Sequence, residues 1–409
     1  MTEFQYPDSF SRSGPEPAGR FTGLPRYNFV YGHNDPAQIP ADELADIAAD
    51  ILRTHGSSLA MYHLGHGPQG YLGLREFVAG KLGRSRGIDC VADDVVLTSG
   101  SLQGMDLVNE TFLEPGDTAI VESFTYGGAI TKLQRLGVEA IGAPLDADGI
   151  RMDDLASLLE TLRGRGTTPK FIYTIPTVQN PTGSIMPLER RHRLLELSAE
   201  FGVPIFEDEC YTDLAWQDGA PPALYGLDPT RVIHIGSFSK SLAPALRVGY
   251  IVGSWDVLSR VLARKTDAGS GAIEQMVIAE YFGRNFETHV ATLKAALKRK
   301  LDVIVDALER EFGTTAELFV PKGGIFIWLK LPDHVDVRTF AQSALDQGVA
   351  FNPGPDWACD PEAAKNYMRL CFALPDEDVI REGVAKLARI CFEHTGVPER
   401  SANVVQPPG

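Results

Sequence analysis

Lys240 and Arg247 stand in a short polar segment, Ser237-Phe-Ser239-Lys240-Ser-Leu-Ala-Pro244-Ala-Leu-Arg247-Val-Gly249, between two apolar runs. A lysine at the mouth of a sheet condenses with an aldehyde once its surroundings lower its proton affinity, and nearby cations do that. Arg247 and the hydroxyls of Ser237 and Ser239 are donors for a phosphate on the same molecule. A plain surface turn does not call for two hydroxyls, a lysine, a proline and an arginine at these spacings.

Four further segments carry polar groups at the ends of apolar runs. The segment Thr98-Ser-Gly100-Ser101-Leu102-Gln103-Gly104 follows a strand and opens a helix. Such a turn aims free N–H groups and the positive end of a helix dipole at an anion, and it also serves as an ordinary cap. Tyr126 follows the run TAIVES, where an aromatic suits either a planar, electron-poor ring or the core. Asn180-Pro181-Thr182-Gly183 is a good β-turn. Glu207, Asp208 and Glu209 crowd together ahead of Tyr211. Like charges that close repel, so they are either exposed or one of them meets a cation. Arg369 lies in the otherwise apolar YMRLCF, where a guanidinium is costly unless paired.

The elements that must position these groups are legible from periodicity. Between residues 93 and 254 the runs DVVLTSG, TAIVES, KFIYTIP, VPIFEDE, RVIHIGSFSK and RVGYIVGS alternate with helical stretches such as 187–201. Near-continuous apolar strands of this kind imply a mostly parallel sheet covered on both faces. Ligands then sit at the carboxyl ends of the strands. From about residue 274 the pattern turns to long helices, including 288–312. Strands at 324–331 and 367–372, a strand running into Phe351, and helices at 337–347 and 376–393 follow. Residues 1–25 and 398–409 lack apolar periodicity and are expected to be irregular.

Composition excludes several function classes. A net charge of -16 over 409 residues argues against a nucleic-acid surface. No apolar run approaches the roughly 18 residues of a membrane helix, and no targeting segment is evident at the start of the chain. A cytoplasmic enzyme is therefore expected. The five cysteines lack C-x-x-C spacing, so neither a metal site nor a redox pair is expected.

Taken in order, these segments resemble the class I/II aminotransferases, fold type I of the pyridoxal-5'-phosphate (PLP) enzymes. The pattern is nearest the aminoadipate, kynurenine and aromatic aminotransferase-like branch, and the likeness runs from about Phe29 to the last helix. The resemblance implies that Lys240 holds PLP as a Schiff base and carries the substrate proton. It implies that Asp208 keeps the pyridine nitrogen protonated, that Asn180 and Tyr211 bond the phenolic oxygen, and that Tyr126 stacks on the ring. Ser101, the backbone amide of Leu102 (where the family usually has Gln), Ser237, Ser239 and Arg247 then hold the phosphate. Arg369 grips the α-carboxylate beside Asn180 and Gly32, with Glu207 and Glu209 as exposed bystanders.

The same resemblance makes Tyr62 the residue that reaches across a homodimer interface to the neighbour's phosphate. An insertion before Gly70 leaves His63 and His66 as alternatives. The fold it implies is α/β, a large domain with a mostly parallel seven-stranded sheet and a smaller α+β domain. The expected division is an N-terminal arm over 1–45, the PLP-binding domain over 46–285 and the small domain over 286–409. The expected reaction moves an amino group from an amino acid to a 2-oxo acid. A β- or γ-lyase, a synthase or cyclase, or an oxidase on the same scaffold stays open, and Arg26 is a candidate for a distal substrate carboxylate. A PLP-sensing regulator is disfavoured, because about 25 irregular residues leave no room for a DNA-binding unit.

Overall fold

The apolar runs become strands because both of their faces are covered. The computed structural model describes residues 10, 17–21, 23–216 and 220–398. The expected irregular ends, 1–25 and 398–409, lie largely outside the described residues. β1 (Val95–Thr98), β2 (Thr118–Glu122), β3 (Glu139–Ala143), β4 (Ile172–Thr174), β5 (Ile205–Asp208), β6 (Val232–Ser237) and β7 (Gly249–Val252) form one sheet in the order β1-β7-β6-β5-β4-β2-β3. Only β7 runs against its neighbours. The expected mostly parallel, seven-stranded α/β sheet is borne out. β3 was not among the runs read from the sequence: EAIGA is an edge strand with only Ala143 fully buried, so it lacks the apolar signature.

Alternate residues of each strand enter different cores. In β1, Val95 and Leu97 join the core on one face and Val96 the core on the other. Because β1 is parallel to β6, the turns after β1, β2, β4, β5 and β6 all leave the same edge of the sheet. The candidate residues of the large sheet lie in or beside those turns.

A single helix, Ala272–Phe312, crosses from one unit to the other. Its Ile278, Tyr281, Phe282, Phe286 and Val290 pack beneath the large sheet. Its Leu293, Leu297, Leu301, Ile304, Leu308 and Phe312 pack in the C-terminal unit. The expected division at 285/286 falls inside this helix, whose apolar face changes partner between Val290 and Leu293. The C-terminal unit is a four-stranded sheet of Glu317–Phe319, Phe326–Lys330, Tyr367–Cys371 and Asn352–Pro353, with helices Arg338–Asp346 and Glu377–Thr395.

The N-terminal segment fastens the two units together. Tyr27–Asn28 pairs in parallel with Val349–Ala350. Asn34 then donates to the Leu242 carbonyl at 2.9 Å, and Asp35 meets Lys300 of the long helix at 2.9 Å. Residues 30–32 are thereby held over the carboxyl edge of the large sheet.

One expectation fails here. Glu207 and Glu209 are buried rather than exposed. Glu209 pairs with Arg86 at 3.0 Å and lies 3.5 Å from Arg191, and both arginines bond the Thr177 hydroxyl. Glu207 accepts from the backbone N–H of Leu224 and from His234 at 2.9 Å. Alternation along a strand explains it: the side chains flanking Asp208 point away from its face of the sheet. Their cations come from helices Leu72–Arg86 and Leu188–Phe201, distant in sequence. Such a cluster tolerates burial only because each charge has a partner, and removing one partner costs about 3–5 kcal/mol.

Among the described residues no helix is long and apolar enough to cross a membrane, and no group of side chains has the makings of a metal site. All five cysteines are free.

Candidate active site

The sheet edge, the segment 30–32 and the C-terminal unit enclose a cavity of about 320 Å3. Every expected site residue except Tyr62 lines it: Gly32, Ser101, Leu102, Tyr126, Asn180, Asp208, Tyr211, Ser237, Ser239, Lys240, Arg247 and Arg369. Those from the large sheet meet because each lies at or just after a strand that ends at this edge, while Gly32 comes from the N-terminal segment and Arg369 from the C-terminal sheet.

Lys240 leaves β6 and points across the cavity, its Nζ donating to the Gly32 carbonyl at 2.5 Å. A Cβ on Gly32 would lie 2.5 Å from that nitrogen, so any larger residue there would push the end of the lysine aside. Burial, with the nearby Arg369 and Arg247, pushes the Lys240 amine down to about 8. The amine is thereby much nearer to being a nucleophile at neutral pH than a surface lysine is.

At the other end of the cavity, helix Ser101–Phe112 opens with Gly100 in a left-handed conformation (φ 77°) as its N-cap. Its first N–H groups face the turn that carries Ser237, Ser239 and Arg247. A Cβ on Gly100 would collide with the Arg247 guanidinium, and one on Gly249 would lie 2.6 Å from the Ser101 nitrogen. The glycines thus keep a cradle open beside unused donors and a cation, which fits a phosphate.

Asp208, at the end of β5, is buried, and burial raises its proton affinity. Tyr173 donates to it at 2.8 Å and the Cys210 N–H at 3.1 Å. Asn180 joins two neighbours, donating to the Tyr211 oxygen at 3.3 Å and accepting from Arg369 at 3.0 Å. Arg369 also donates to the Val30 carbonyl at 3.0 Å, while its buried Nε has no partner. The structural salt bridge that would have explained this arginine is absent among the described residues.

Sequence reasoning missed several contributors. Tyr173 sits mid-strand, where an apolar run hides its hydroxyl. Glu122, buried at the end of β2, accepts from Thr174, the Ile175 N–H and Gln179. Burial pushes it up to about 7 against the pull of those donors. It ties the Tyr126 loop to the Asn180 loop. Trp357 and Asn352 come from the C-terminal unit and carry no motif.

Four candidates stand outside the cavity. Arg26 pairs on the surface with Glu382 at 2.7 Å, which removes it as a wall residue. His63 lies against Gly269, and His66 accepts from the Leu72 N–H at 3.3 Å. Tyr62 is 81% exposed.

A lysine of lowered proton affinity, a glycine turn opening a helix, a buried carboxylate and an aromatic share this cavity, an arrangement that fits a PLP enzyme of fold type I. The aminotransferase class I and II profile matches residues 34–387. The aromatic-amino-acid aminotransferase 1 of Thermococcus litoralis is 31% identical over 362 residues, 88% of this chain and 86% of that protein. The crystal structure of LysN, the α-aminoadipate aminotransferase of Thermus thermophilus complexed with N-(5'-phosphopyridoxyl)-L-leucine, superposes with a TM-score of 0.85. It is 30% identical and covers 96% of this chain and 100% of that one. The kynurenine aminotransferase of Pyrococcus horikoshii gives a TM-score of 0.84 at 33% identity, over 91% of this chain and 92% of that one. The chain belongs to the class I and II aminotransferase family. Its cofactor is PLP, and its reaction is amino-group transfer between an amino acid and a 2-oxo acid.

An amine reacts only after losing its proton, so capture of PLP by cofactor-free protein should accelerate with rising pH and level off above about 8. Stopped-flow absorbance measures this. A midpoint near the ordinary lysine value of 10.5 would contradict the depressed proton affinity.

Proposed function

We propose that the residues of this cavity divide into a cofactor set and a substrate set, joined at Asn180. The carrying observation is electrostatic. Lys240, Arg247 and Arg369 line one cavity without a carboxylate partner among the described residues, in a chain of net charge -16. Cations kept unpaired in so acidic a protein call for anionic ligands, a phosphate at one end and a carboxylate at the other.

In this reading Ser101, the Leu102 N–H, Ser237, Ser239 and Arg247 hold the phosphate. Tyr126 stacks on the ring, Asp208 pairs with the pyridine nitrogen, and Asn180 and Tyr211 bond the phenolic oxygen. PLP, when bound, supplies the electron sink for the pair released at the substrate's Cα. Arg369 receives the α-carboxylate, with Gly32 and Asn180 beside it, and orients the Cα–H bond toward Lys240. The Lys240 amine would take that proton and hold it at Nζ, and its lowered proton affinity suits both uptake and release near neutral pH.

The enzyme acts as a cytoplasmic homodimer in which Tyr62 completes the partner's phosphate site. Tyr62 projects from a stretch that also exposes Leu52, Leu59 and Met61, an apolar surface suited to a partner. The following His63 and Leu64 both adopt left-handed backbone conformations (φ 57° and 54°), strain of the kind found at functional turns. With both histidines engaged in their own chain, Tyr62 is the residue left to project. Five free cysteines suit a reducing compartment.

Two measurements test this. Single-turnover mixing of holoenzyme with a panel of amino acids, including aminoadipate and kynurenine, should release one 2-oxo acid per site and no ammonia. Stoichiometric ammonia would point to a lyase or oxidase instead. Mixing inactive Lys240→Ala and Tyr62→Phe chains should restore activity toward roughly a quarter of wild type, because half the sites in heterodimers carry neither defect. An unimpaired Tyr62→Phe homodimer, or no recovery despite subunit exchange, would remove Tyr62 from a shared site.

A further inference from the structure

We infer that Trp357 is a positioning residue for the carboxylate site, fixing Arg369 through the face of its indole. The inference rests on the reading of Arg369 as the receptor of the substrate's α-carboxylate. The Arg369 Cζ lies 3.6 Å from the Trp357 ring centroid, well inside the roughly 6 Å over which a guanidinium is drawn to an aromatic face. Phe326 stands further off, at 5.4 Å. Both Trp357 and Arg369 are buried, so the attraction is little screened by water.

The stack decides which part of the guanidinium is free. One face is covered by the indole, while Nη1 and Nη2 each spend a hydrogen on Asn180 and Val30. Nε has no partner. The N–H groups remaining on the edge are then available to a carboxylate, whose preferred approach to arginine is in the guanidinium plane.

Trp357 also ties that edge to the opposite wall. It ends the short turn Gly354–Trp357, next to the strand pair that carries Arg369. Yet its carbonyl accepts from the Thr125 N–H at 2.9 Å, the Cys359 N–H donates to Ser123 at 3.1 Å, and Phe124 and Ala358 form a bridge between them. Gly127 permits this approach, because a Cβ there would collide with the Asp356 carbonyl oxygen. The indole itself meets Tyr126 at 5.8 Å. Trp357 is therefore anchored on the loop of the ring-stacking tyrosine while its side chain holds the arginine of the other unit. It sets the distance between ring site and carboxylate site.

Acetate and acetamide, small enough to enter whatever the substrate side chain, separate a carboxylate effect from general packing. Their dissociation constants are read from the cofactor's absorbance in holoenzyme of wild type, Trp357→Phe, Trp357→Met and Arg369→Lys. Trp357→Met should weaken acetate about tenfold and Trp357→Phe less than about threefold, with acetamide unchanged within about twofold. The KM of the amino acid should rise with acetate's constant while kcat moves less. Global replacement of the four tryptophans by 5-fluorotryptophan keeps their shape and lowers the negative potential of the face. It should weaken acetate by about twofold even if the methionine variant fails to fold. Acetate weakened by Arg369→Lys but unmoved by fluorination and by both Trp357 substitutions would overturn the role of Trp357. Equal losses for acetate and acetamide would reduce that role to packing and overturn it too. Acetate unaffected by Arg369→Lys would instead sink the underlying reading of Arg369.

Discussion

Three cations face one cavity in which, among the described residues, Asp208 is the only carboxylate on the wall. Like charges gathered in one site repel, and burial strips Arg369 and much of Lys240 of water while Arg247 stays exposed. The rest of the fold bears this load by spreading the charges over separate elements: Lys240 and Arg247 on the turn between β6 and β7, Arg369 on a strand of the C-terminal sheet. Neutral acceptors take up some of the strain. The carbonyls of Gly32, Val30 and Ser99 and the Asn180 amide all accept from these cations. Such a site gains stability when anions enter it, by mass action on the folded state.

The positions follow from the sheet. Parallel strands send their carboxyl ends to one edge, and that edge collects the helix-opening glycine turn, Tyr126, the Asn180 turn, Asp208 and Lys240. The acidic pair flanking Asp208 shows the same alternation from the other side. Glu207 and Glu209 are turned into a buried network with Arg86, Arg191 and His234, which fixes the end of β5 from behind. The 27–35 segment and the Trp357 turn complete the cavity from the C-terminal unit.

Legibility in the sequence tracked the range of the interactions. The lysine turn, the Asn180 turn and the helix-opening glycine turn were readable because their geometry is local and demands particular residue types. β3 was missed because an edge strand need not be apolar. Glu207 and Glu209 were misread because their counter-ions lie on helices more than a hundred residues away for Arg86, and no local pattern announces them. Trp357 and Tyr173 were invisible for a related reason: an aromatic in a turn or strand is ordinary until tertiary packing brings a guanidinium or a carboxylate against it. Tyr62 was legible only by resemblance, and the single chain gives it no contact with its own cavity.

The central claim is that Lys240 is the amine that carries the cofactor. Borohydride reduction of the holoenzyme, followed by proteolysis and mass spectrometry, identifies the modified lysine directly. The account predicts a reduced pyridoxyl group on the peptide containing Ser239-Lys240-Ser241, and none in Lys240→Ala protein that still binds PLP. A label on Lys265, Lys322 or any other lysine, with Lys240 unmodified, would contradict it.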